Sequence, residues 1–67
     1  MKVVSGERFC KALARAGWRR LRSKGGHQTW GKEGFGNVTV PIHSGRDLKP
    51  GLQRELMKQT GLRESDL

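Results

Sequence analysis

The chain has two histidines, His27 and His43, the only side chains in it whose free pKa lies near neutral pH. A basic run, Arg19, Arg20, Arg22 and Lys24, comes immediately before His27. An imidazole beside a phosphate-binding patch is the minimal equipment for cutting RNA. A neutral histidine takes the proton from a ribose 2′-OH, the freed oxygen attacks the adjacent phosphorus, and Arg or Lys stabilises the charge that builds there. DNA lacks that internal nucleophile, so the chemistry would be RNA-specific. The same residues also fit a surface histidine among solvated arginines. For His43 three roles stay open: a phosphate contact, a bond to its own loop, or none. Ser44 and Asp47 make no hydrolytic triad, because no spacing requires either histidine to fold onto them.

The elements that must hold these residues are short. Ser5 is placed to cap a helix, with Glu7 in the first turn where a carboxylate suits the positive helix end. From Gly6 to Ala16, Phe9, Leu13 and Ala16 recur at helical spacing, Ala12 widens the stripe, and Gly17 is a left-handed stop. Trp18 to Ser23 reads as a strand with poor alternation, Lys24-Gly25-Gly26 as a turn, and His27 to Gly31 as a second strand. Lys32 to Gly36 supplies the next turn. Asn37 to Ile42 alternates well, with Val38, Val40 and Ile42 on one face and Asn37, Thr39 and Pro41 on the other. Pro41 donates no ladder bond, so that strand ends or lies at an edge there.

A polar loop, His43 to Asp47, leads to Pro50 at a first helical position. Leu48, Leu52, Leu56 and Met57 give this second helix an apolar stripe, Gly61 ends it, and Leu62 to Leu67 can add a further turn. The economical way to bury these stripes is α+β: both helices on one face of a three-stranded antiparallel meander, the other face open. That order, helix, three strands, helix, resembles a double-stranded-RNA-binding domain.

Composition sets limits on what such a domain does. With 67 residues there is one domain, 1–67, and a thin core rather than a deep catalytic pocket. Fourteen Lys and Arg against six Asp and Glu give a formal charge of +8, which favours a polyanionic partner: nucleic acid, an acidic protein or an anionic membrane face. No run approaches the ~18 apolar residues of a membrane span, and the first residues lack the apolar stretch of an export signal. Cys10 is the sole cysteine, so no internal disulfide forms, and with the two histidines far apart no metal-ligand set is expected; nor is a cofactor. Trp18 and Trp30 could stack on unpaired bases, although Trp18, just after the helix stop, suits the core better. Phe35 in its glycine-flanked turn is too isolated for a stacking platform and could pack on a partner chain.

Several segments together carry a more specific signal. Lys24-Gly25-Gly26-His27, Val40-Pro41-Ile42-His43, Leu48-Lys49-Pro50-Gly51 and Leu56 to Leu62 occur in an order that resembles the HicA family of bacterial toxins, over nearly the whole chain. The resemblance implies a cytoplasmic mRNA interferase on a double-stranded-RNA-binding-like fold, neutralised by a cognate HicB-like antitoxin. It implies that His27 is the catalytic residue and that Lys24 is the basic residue of the turn; with Arg22, Arg20 and Arg19 of the basic run, Lys24 is expected to meet RNA. Gly25, Gly26 and His43 take supporting or structural places. The residue before the histidine is often serine in that family, and here it is Gly26, so a hydroxyl that could assist the imidazole is missing. Two other readings use the same residues. A non-catalytic RNA-binding module predicts that His27→Ala binds RNA as well as the wild type; a pure interaction protein predicts almost no salt dependence of RNA binding.

Overall fold

The computed structural model describes residues 1–67. Helix α1 spans Gly6–Arg15, strands β1, β2 and β3 span Arg19–Lys24, His27–Lys32 and Gly36–Pro41, and helix α2 spans Pro50–Thr60. A single 3-10 turn, Glu64–Asp66, follows. The strands form one antiparallel sheet in the order β1-β2-β3.

Local chemistry sets the ends of the helices. The Ser5 hydroxyl accepts from the Arg8 amide at 3.1 Å, satisfying one of the donors that a helix start leaves free. At the other end Gly17 takes φ 92°, which lets the Gly17 and Trp18 amides donate back to the Ala14 and Leu13 carbonyls. The Lys32 ammonium adds a bond to the Ala16 carbonyl at 2.8 Å. Helix α2 opens on Pro50, whose missing N–H costs nothing in the first turn, and stops at Gly61 in the left-handed conformation.

One face of the sheet is closed by both helices. Phe9 and Leu13 from α1, Leu56 from α2, Trp18, Trp30 and the alternate strand residues Val38 and Val40 form one core. Both tryptophans lie inside it, at 4% and 8% exposure, so neither is a stacking platform for bases. Each ring removes more apolar surface from water in the core than any other side chain of this chain can, and a small domain has few substitutes. Phe35 stays half exposed and tilts against Trp18 with ring centroids 5.6 Å apart.

The buried face of α2 differs from its apolar stripe. Leu52 is 36% exposed, and Gln53 is fully buried in its place. The reason is a long-range partner: the Gln53 amide accepts from the Val4 N–H at 2.8 Å and donates to the Lys2 carbonyl at 2.9 Å. The Leu48 amide holds the Val4 carbonyl at 2.8 Å, so α2 and its approach pin the first segment of the chain. A buried amide with both ends bonded is as acceptable there as leucine.

Candidate active site

The open face of the sheet is organised by register. Three rows cross it: Lys24, His27 and Pro41; Arg22, Thr29 and Thr39; Arg19, Gly31 and Asn37. Directly paired residues on antiparallel strands sit about 4.5–5.5 Å apart at Cα and point to the same side. His27 therefore has Lys24 on one flank and Pro41 on the other, with Arg22 in the adjoining row. In the second row the Thr29 and Thr39 hydroxyls meet at 3.2 Å. In the third, Leu21 and Asn37 close over Gly31, where an added Cβ would lie 2.7–2.8 Å from their side chains.

A β-bulge makes this arrangement. The register shifts between Arg20 and Arg22, so Leu21 is the extra residue and the strand changes parity there. Strict alternation would put Arg20, Arg22 and Lys24 on one face. With the bulge, Arg19, Arg22 and Lys24 share the open face. Arg20 pairs instead with buried Trp30 and lines a shallow recess with Cys10, Lys11 and Glu7 beside α1. The sequence groups four cations with His27; the structure brings three of them to it.

The turn that presents His27 is tight. Lys24 and His27 close a two-residue hairpin in which Gly25 has φ 60°, a conformation that favours glycine, while Gly26 does not have a positive φ. The Gly26 carbonyl accepts from the Ile42 amide at 2.6 Å, tying the turn to the end of β3. A Cβ at position 26 would lie 3.2 Å from the Ile42 carbonyl oxygen and 4.0 Å from His43 Cε1. A serine there would thus need a small shift of that carbonyl, and its Cβ would sit within van der Waals reach of the His43 ring. The same contacts place His43 at the His27 end of the sheet.

Electrostatically the face is bare. The one ion pair with an Asp or Glu joins the N-terminal amine to Glu64 at 3.5 Å, so no Lys or Arg side chain is held by an Asp or Glu carboxylate. Arg8, Arg15 and Lys32 bond backbone carbonyls instead. Arg19, Arg22 and Lys24 are exposed and have no hydrogen-bond partner, and His27 is exposed as well. Three free cations on one flank of an accessible imidazole can bind successive phosphates and leave the imidazole beside a phosphodiester. Thr29, Thr39 and Asn37 add neutral donors and acceptors to the same surface. Their place on it follows from the alternation of β3 and its pairing with β2.

Cys10 lies apart from this surface and buried in the core. Burial pushes its thiol up to about 11 from 9.0, against smaller opposing effects of the neighbouring Trp30 indole N–H and the Arg20 charge. A thiol in that state is an inert core side chain rather than a nucleophile. No helix is long and apolar enough to cross a membrane.

Comparison with known proteins agrees with the residue pattern. No curated protein matches the chain. The family model described as HicA toxin of bacterial toxin-antitoxin matches residues 6–62, from the first residue of α1 to just past the Gly61 stop of α2. That span contains the Lys24-to-His27 turn, the end of β3 with His43 and both helices, and the chain belongs to the HicA toxin family.

Proposed function

We propose that the protein is an endoribonuclease that cuts mRNA, with His27 as general acid/base and with Arg19, Arg22 and Lys24 holding the RNA backbone. The observation that carries this reading is the row Lys24–His27–Pro41, which sets an exposed imidazole beside an unpaired ammonium at the end of an open cationic face. In the reaction His27 accepts the 2′-OH proton as the 2′-oxygen bonds to phosphorus. The bond from phosphorus to the 5′-oxygen breaks, that oxygen takes a proton from solvent while His27 returns the one it accepted, and a 2′,3′-cyclic phosphate remains. Lys24 and Arg22 stabilise the charge on the non-bridging oxygens as it develops. With Gly26 in the turn, no hydroxyl from that position assists the imidazole, and the load rests on His27 and the cations.

The second half of the proposal is a HicB-like antitoxin; membership of a toxin–antitoxin family supports an antitoxin partner. A partner with an acidic surface that covers the open sheet face would neutralise the toxin by excluding RNA. Charge complementarity would speed encounter, and apolar contacts such as exposed Leu21 would set the lifetime. The reaction is tested with the isolated toxin and an RNA carrying a single 2′-deoxy substitution at a mapped cut. Loss of that cut alone, with cyclic phosphate ends at the others, supports 2′-OH attack. Cutting at the deoxy position overturns the mechanism, and RNA that is bound but never cut makes the protein a binding module.

A further inference from the structure

A second feature lies around the corner from His27. Beyond β3 the chain runs through His43 to Asp47 and into α2, leaving a cleft of about 490 Å³. Pro41, His43, Arg46, Asp47, Lys49 and Leu52 line it. Pro41 is the cross-strand partner of His27, so the cleft opens one strand away from the imidazole. Its volume is in the range that holds a small organic ligand.

The lining has the chemistry of a nucleotide site. Arg46 and Lys49 are exposed, and neither is paired with a carboxylate or bonded to the chain. Leu52 is a large apolar side chain left partly exposed beside them, although the helix that carries it buries a glutamine instead. A base needs an apolar wall, its phosphate needs cations, and its polar edge or ribose hydroxyl needs an acceptor. Leu52 with Pro41, Arg46 with Lys49, and Asp47 supply these in turn.

We infer that the cleft between the end of β3 and the start of α2 is a ribonucleotide subsite next to the scissile bond, in which Arg46 and Lys49 hold a phosphate and Leu52 with Pro41 holds a base. The inference rests on the reading of His27 as the ribonuclease centre. It assigns cut-site preference to residues on α2 and its approach.

Two arms test it in the full chain. In the His27→Ala background, binding of a short fluorescent single-stranded RNA is measured across a salt series. Arg46→Gln/Lys49→Gln is expected to weaken binding about tenfold and to flatten the salt slope by about 0.7, one phosphate's worth. Lys11→Gln/Lys58→Gln removes the same charge from exposed positions elsewhere on the helices and is the control. Equal losses in both double variants, or no loss in the first, overturn the inference. So does a first variant that binds RNA normally but fails to bind an acidic antitoxin. In the active chain, Leu52→Ala is expected to redistribute cut positions on a long RNA, and an unchanged distribution overturns the base subsite. If the wild type never cuts, the ribonuclease reading falls, while the binding arm still decides whether RNA occupies the cleft.

Discussion

Arg20 and Arg22 are two residues apart in sequence, and removing either lowers the net charge from +8 to +7. The bulge at Leu21 separates them: Arg22 stands opposite Thr29 on the open face, Arg20 opposite Trp30 on the helix-covered one. Arg20 is exposed as well, so Arg22→Gln and Arg20→Gln, each in the His27→Ala background, remove the same charge from opposite faces of the strand. One contact to a single strand contributes about 0.7 to the slope of log affinity against log salt. Over a fourfold rise in salt, that is a factor of about 2.6 in affinity. Fluorescence anisotropy with a single-stranded RNA across that range resolves such a factor. Arg22→Gln is expected to flatten the slope by about 0.7, and Arg20→Gln to leave it within error of the parent. Equal flattening by both variants would refute the assignment of faces, because net charge alone would then explain RNA binding.

Three further outcomes follow from the packing. Gly6→Ala puts a methyl against the Pro41 carbonyl oxygen and within 3.0 Å of Ile42 Cδ1; strain of about 1–3 kcal/mol exceeds the ~0.5–1 kcal/mol gained in helix propensity, so the melting temperature falls, and a rise would contradict the close approach of α1 to β3. Gln53→Leu leaves the buried Val4 amide without its acceptor, costs about 1–3 kcal/mol in denaturant titration and speeds Val4 amide exchange; an unaltered Val4 exchange rate would contradict the pinning of the first segment. Cys10 keeps its proton in the folded chain up to about pH 11, above its ordinary 9.0, so its stabilising effect is present below pH 9 and is lost as pH rises from 9 to 11. Wild type should lose stability more steeply than Cys10→Ala across that window, and parallel curves would contradict the burial effect.

Much of the fold was legible because its ends are marked by residues with one use. Ser5, Gly17, Pro50 and Gly61 bound the two helices where their chemistry requires, and the alternation of β3 places Val38 and Val40 inward. The basic strand was harder to read. A bulge leaves no mark in a run of arginines, so strict alternation misplaces Arg20, and poor alternation in β1 was the only trace of it. Gln53 was invisible for another reason: its partners, Lys2 and Val4, are about fifty positions away, and hydropathy favours Leu52 for the buried face. His27 was legible as a candidate from the turn before it. The cleft was not, because it exists only once β3, the His43–Asp47 loop and α2 are folded together.

The central claim is that His27 does the acid–base chemistry on RNA that the cationic rows hold and whose developing charge they stabilise. The most direct test compares wild type with His27→Ala, each free of any antitoxin, on a long unstructured RNA with a DNA of the same sequence as control. Cleavage and binding are scored in the same samples. The expected result is that wild type cuts the RNA and spares the DNA, while His27→Ala binds the RNA with the same affinity and salt slope and does not cut. A His27→Ala chain that still cuts at the wild-type positions would move the catalytic centre elsewhere and contradict the account.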